Sequence, residues 1–206
     1  MLKKIRPIAL CRSLKKIDRT VYFPDEGNTG VVLPEIGLLK AFLPSNKRLV
    51  KNYLAFIERP SKEILLRKLV YELYQHGVLD RNKSIIDIGA WIADNTLVWS
   101  RMISDNAKVF AIDPAEENIR FGKELAELNQ CRNISWHQAV CSDEVGQNLF
   151  FAGKIGHAQF SESKSRKYKP SPLKSSTLDS IVGESNYDRM GFVHVDVEGF
   201  EKKVLA

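Results

Sequence analysis

The 206-residue chain predicts an α/β fold, Rossmann-like, around a mostly parallel central sheet, and three observations predict it. Strand-type and helix-type patterns alternate from residue 61 onward, as parallel strands joined by crossover helices do. Ser84-Ile-Ile-Asp-Ile88 is an apolar run suited to a strand buried on both faces, and Gly89 supplies a tight turn after it. Val109-Phe-Ala-Ile-Asp113 is a second such strand, and its terminal acid stands 24 residues past Gly89.

Residues 1–60 are expected to form an N-terminal extension with turns and short elements, and residues 61–206 the domain itself. Pro24-Asp-Glu-Gly-Asn28 and Gly30 are turn signals, while Pro34, Gly37 and Pro44 interrupt longer periods, so a short hairpin or loop is expected there. The first clear helix runs from Ser61 to Gly77. Ser61 caps it, Glu63 suits its first turn, Leu65, Leu66, Leu69, Val70 and Leu73 form one face, and Gly77 stops it. A second helix begins near Asp94, Asn95 or Thr96. The strand ending at Asp113 leads into an amphipathic helix over 115–129, with Ile119, Leu125 and Leu128 inward, and then a third strand over 134–140.

Beyond it, Asn148–Ala152 and residues 157–160, separated by Gly153 and Gly156, predict a hairpin, residues 161–172 an exposed loop, and Leu178–Val182 a short helix. This segment is expected beside the pocket. Phe192-Val-His-Val-Asp-Val-Glu198 is the fourth central strand, and a two-residue period puts His194, Asp196 and Glu198 on one face and Val193, Val195 and Val197 on the other. A helix over 199–205 follows. It stops without a cap after only four central strands, so a domain lacking its C-terminal part is expected.

Composition bounds the function class. A chain that is 44% hydrophobic and 27% charged can bury a full core and is neither fibrous nor disordered. No apolar run approaches the roughly 18 residues that would span a bilayer. Cys11, Cys131 and Cys141 form no C-x-x-C pair, which argues against a disulfide framework or a zinc site and for a reducing cytoplasm. Residues 1–20 carry seven Lys or Arg against Asp18 alone, and Lys164, Arg166, Lys167, Lys169 and Lys174 form a second basic cluster. Two solvated segments, or peripheral attraction to an anionic surface or partner, are both open readings. Aromatics do not alternate with these cations, which disfavours nucleic acid.

The order strand, glycine turn, helix, strand, acid describes a pocket for an adenosine-containing ligand, with Asp113 placed to accept from both ribose hydroxyls. A dinucleotide fingerprint needs glycine where Trp91 and Asp94 stand, so a pyrophosphate would meet an indole and a carboxylate. S-adenosylmethionine (SAM) carries no phosphate. One turn glycine then suffices, and a carboxylate such as Asp87 suits its ammonium and sulfonium charges.

Five blocks carry a resemblance: Asp87-Ile-Gly-Ala90, Ala111-Ile-Asp-Pro114, Ala139-Val-Cys-Ser-Asp143 with Gly146, Ser176-Thr-Leu-Asp179 and Val195-Asp-Val-Glu-Gly-Phe-Glu201. In order and approximate spacing they resemble the FkbM-type SAM-dependent methyltransferases over about residues 60–206. The last block is the most specific, since it resembles the D-x-E-G-x-E signature of that family. The resemblance implies a cofactor pocket built from Asp87, Gly89, Ala90, Trp91 and Asn95 in the first loop, Asp113 at the second strand, and Ala139, Val140 and Asp196 beyond. It also implies a hydroxyl acceptor on a sugar, glycolipid or secondary metabolite. Two departures stand out: Ala93 replaces a usual glycine and is expected to narrow the methionine end of the pocket, and His194 replaces a common lysine and is expected to alter substrate contacts.

Methyl transfer from a sulfonium leaves the protein to align the acceptor and manage its proton. Asp196 and Glu198 are the candidate catalytic carboxylates, sharing one crevice with Gly89 and Asp113 at the carboxyl ends of the strands. A cap on the following helix is the structural alternative for Asp196, and the helix dipole alone accounts for Glu201. Magnesium held by Asp196, Glu198 and an added Asp through oxygen ligands is the alternative, but no compact cluster marks it and no metal ligand is assigned. A non-catalytic SAM-fold module and a nicotinamide oxidoreductase are the competing functions.

Overall fold

The computed structural model describes residues 19–23, 28–33, 37–42, 62–152, 159–161 and 169–206. The N-terminal extension holds three antiparallel strands, β1 (Arg19–Phe23), β2 (Asn28–Leu33) and β3 (Gly37–Phe42), in the order β1-β2-β3. That is one strand more than a hairpin. The expected cap Ser61, the first basic segment up to residue 18, His157 and residues 162–168 lie outside the described residues.

The domain begins with α1 (Lys62–Gln75), then β4 (Ser84–Ile88), α2 (Thr96–Met102), β5 (Val109–Asp113), α3 (Glu116–Leu128) and β6 (Ile134–Gln138). With β11 (Met190–Val195) these strands form a parallel sheet in the order β11-β4-β5-β6. The fold is therefore α/β and Rossmann-like, as the alternating pattern predicts. All five residues of β4 are buried, because helices or loops cover both faces of the central strand.

Two apolar clusters sandwich the sheet. On one face Ile85, Val109 and Trp99 pack with Val70 and Tyr74 of α1 and Phe121 and Leu125 of α3. On the other, Ile86, Ile88 and Ile112 pack with Cys141, Val182 and Val204. The buried side of α1 is rotated from the expected one. Arg67, Val70 and Tyr74 are buried, whereas Leu65 and Leu69 are 46% and 56% exposed.

After β6 the chain leaves the parallel sheet. β7 (Val140–Cys141), β8 (Asn148–Ala152), β9 (Gln159–Ser161) and β10 (Lys169–Ser176) form a second sheet, ordered β7-β10-β8-β9. The expected hairpin is present as the β8–β9 pair. The expected loop is not loop throughout, since residues 169–172 belong to β10. Pro170 and Pro172 lie within this strand, and its register on β8 shifts between Pro170 and Lys174. The short helix α4 (Leu178–Val182) matches expectation and is capped by Thr177, whose side chain accepts from the Ser180 N–H. A 3₁₀ turn (Glu184–Arg189), β11 and α5 (Glu201–Val204) complete the chain.

Candidate functional site

Four strand tips meet at the carboxyl edge of the parallel sheet, and backbone hydrogen bonds lace them together. Gly89 and Ala90 N–H groups donate to Ile112 O at 2.9 and 3.0 Å, Asp196 N–H donates to Ile88 O at 2.9 Å, and Ala139 N–H donates to Asp113 O at 3.2 Å. The turn from β4 into α2 is held tightly folded, with Trp91 at φ 44° and Ala93 at φ 63°. That left-handed backbone costs an L-residue about 1–2 kcal/mol and explains why glycine suits the Ala93 position. The Ala93 side chain is fully buried in the first cluster, and only the missing side chain at Gly122 leaves room for its methyl. It faces core, so the expected narrowing of the cofactor pocket does not follow.

Gly89 is required for a reason the sequence did not show. A Cβ there would stand 1.9 Å from the Asp196 carbonyl oxygen, at φ +83°. The close approach is by the chain's own backbone at Asp196, just past the end of β11, which runs parallel beside β4.

Asp113 is buried and fixed. Its Oδ2 accepts from the Trp91 N–H at 2.9 Å, and its Oδ1 accepts from the Ala115 N–H and Asn118 Nδ2, both at 2.9 Å. Burial pushes its pKa up to about 6, against the opposing pull of those donors. A carboxylate offers about four lone-pair sites, so three bonds leave room for a further hydroxyl donor.

Asp87 is also spoken for. Thr96 Oγ1 donates to its Oδ2, and His194 Nδ1, 3.0 Å from its Oδ1, donates to the other side. The His194 ring also stands edge-on to Trp99 at 4.9 Å. His194 thus pins β11 to β4 from inside the fold. Asn95 is buried as the N-cap of α2, Ala139 is half-buried beyond β6, and Val140 is buried with Leu149 and Phe200.

The expected alternation through Glu198 stops early. β11 ends at Val195, and Glu198 and Gly199 both take left-handed backbone, at φ 54° and 100°. Asp196 and Glu198 are exposed, but no strand period relates them. Glu201 Oε1 accepts from the Gly199 N–H at 3.0 Å and the Val197 N–H at 3.4 Å, which holds its pKa below the usual carboxylate range. It shapes the turn. Phe200 and Val197 then pack against Val140, Leu149 and Phe160, so the second sheet is docked beside the Asp196 turn. Among the described residues no three acids, histidines or cysteines group as metal ligands would.

Sequence reasoning missed Arg67. It is 3% exposed on α1, with Nη2 3.9 Å from Asp94 Oδ2 in the β4–α2 turn. The available signal was a cation at the centre of an otherwise apolar helix face.

No protein-family model matches this chain, and no curated protein matches it. Solved structures do. A SAM-dependent methyltransferase from Aquifex aeolicus is 22% identical over 31% of this chain and 34% of its own, with a TM-score of 0.29. A coclaurine N-methyltransferase bound to N-methylheliamine and S-adenosylhomocysteine is 19% identical over 41% of this chain and 23% of its own, with a TM-score of 0.34. A protein-L-isoaspartate O-methyltransferase is 12% identical over 55% and 48%, with a TM-score of 0.30. The chain spans less than half the length of each, and overlaps this partial carry no conclusion about function.

Proposed function

We propose that the chain is a SAM-dependent methyltransferase of the FkbM type, methylating a hydroxyl of a sugar, glycolipid or secondary metabolite. The observation that carries this reading is the joining of the Gly89 turn to Asp113 through the Trp91 N–H. One strand tip thereby presents a buried carboxylate with acceptor capacity left for a ribose hydroxyl, beside a turn whose indole and Asp94 are hostile to a pyrophosphate. The cofactor supplies an electrophilic methyl group when bound. The chain's part is to orient it and to receive the acceptor's proton, and Asp196 is the carboxylate we assign to that proton, being exposed at the tip of β11 next to the Gly89 turn. Glu198 is its neighbour in the same turn and the second candidate. Among the described residues no helix is long and apolar enough to cross a membrane. The three cysteines without a C-x-x-C pair support a cytoplasmic placement, with the basic segments available for contact with an anionic surface.

The test is transfer of a tritiated methyl group from SAM to glycan and glycolipid extracts. Alkali-stable label, as a methyl ether, is the expected result, and Asp196→Asn is expected to slow its appearance by about a hundredfold or more while S-adenosylhomocysteine affinity stays within several-fold. Absence of label, or label confined to amines or esters, contradicts the hydroxyl assignment. A variant that loses affinity in proportion to activity moves Asp196 from proton acceptor to cofactor orientation.

A further inference from the structure

Arg67 is a buried cation without enough to do. Its Nε and Nη2 have no hydrogen-bond partner among the described residues, and the 3.9 Å separation from Asp94 Oδ2 is beyond hydrogen-bond range. Its neighbours along the buried face of α1 are Val70 and Tyr74, so an apolar side chain would fill the position without the cost of desolvating a guanidinium. The charge is directed at the turn between β4 and α2. At the near end of that turn Trp91 is tied to Asp113, and at the far end Asp94 faces Arg67. Trp91 and Asp94 are three residues apart in one turn, so a ligand held at Asp113 has the Arg67–Asp94 pair at the other end of that turn.

We propose that Arg67 holds the α-carboxylate of the amino-acid end of the cofactor, with Asp94 placed toward the α-ammonium. The inference rests on the SAM reading above and deepens it. A guanidinium fork matches a carboxylate through two parallel N–H donors, and a cation and an anion held a few ångströms apart match a zwitterion of the same spacing. The ammonium role expected of Asp87 moves to Asp94, because Asp94 stands in the turn beside Arg67, whereas Asp87 lies within β4, 1% exposed, with Thr96 and His194 on its two oxygens.

The experiment compares two nucleosides on the full chain by calorimetry: S-adenosylhomocysteine, which carries the zwitterion, and 5′-methylthioadenosine, which lacks it. Wild type is expected to prefer the first by about tenfold to a hundredfold, the scale of a charge-assisted pair. In Arg67→Gln that preference collapses toward unity through weaker S-adenosylhomocysteine binding, with methylthioadenosine unchanged. Because the ratio is taken on one preparation, a partly folded sample does not distort it, and Arg67→Lys, which keeps the charge but loses the fork, provides a second reading with an intermediate ratio. An unchanged ratio in both variants, or a wild type that does not discriminate, overturns the inference while leaving the SAM reading intact. A wild type that binds neither nucleoside overturns the SAM reading itself, and this inference with it.

Discussion

Asp113 illustrates what a single residue reveals when burial and hydrogen bonding oppose each other. Its three donors favour the carboxylate, but desolvation is the larger effect, and the folded-state pKa rises from the ordinary 3.8 to about 6. A raised acid binds its proton more tightly in the folded state, so stability falls as pH rises between about 4 and 6 and levels off above that. At about 1.4 kcal/mol per pKa unit the change is on the order of 3 kcal/mol. Asp143, paired with Lys203 at 2.8 Å, and Glu201 have lowered pKa values, so their contributions are lost only as pH falls further. Urea unfolding from pH 4 to 7 should show this decline in wild type and not in Asp113→Asn. Ribose hydroxyls need the ionised form as acceptor, so S-adenosylhomocysteine affinity should increase by about tenfold between pH 5 and 7. A flat affinity would detach Asp113 from the ribose.

At the scale of elements, two glycines decide how closely the layers approach. A Cβ on Gly89 meets the Asp196 backbone at 1.9 Å, and one on Gly122 meets the Trp136 ring at 2.6 Å. Gly199 shares left-handed backbone, at φ +100°, but has open space around it. Gly89→Ala should therefore cost about 3 kcal/mol or more, Gly122→Ala about 1–3 kcal/mol, and Gly199→Ala only the conformational term of about 1–2 kcal/mol. Urea midpoints rank them, and a Gly89 variant as mild as the Gly199 variant would contradict the close packing of the Asp196 backbone on the Gly89 turn. The sequence showed that Gly89 ends a buried strand, because the apolar run before it is local information. It did not show what Gly89 touches, since Asp196 is more than a hundred residues away and the contact exists only after β11 pairs with β4. The same distinction separates Asp113, legible as an acid at a strand tip, from Arg67, whose burial depends on how α1 is rotated. That rotation exposes Leu65 and Leu69, which a helical period alone had assigned inward. Glu198 was misplaced because a period-two pattern cannot register the left-handed turn that ends β11.

Across the whole molecule, the parallel sheet supplies the edge on which Gly89, Asp113, Ala139 and Asp196 converge. The second sheet braces it from beside, through the Val140, Leu149 and Phe200 cluster and the Lys203–Asp143 ion pair. On the function proposed above, an adenosyl ligand would lie along this turn, with the Asp113 carboxylate at one end and the Arg67 guanidinium at the other. In the proposed function this ligand is SAM and not a dinucleotide. Calorimetric titration of the wild-type chain with SAM, S-adenosylhomocysteine and NAD tests it most directly. The account predicts a single site for SAM and its demethylated product and no heat from NAD at matched concentration; saturable NAD binding, or no response to either adenosyl ligand, would contradict it.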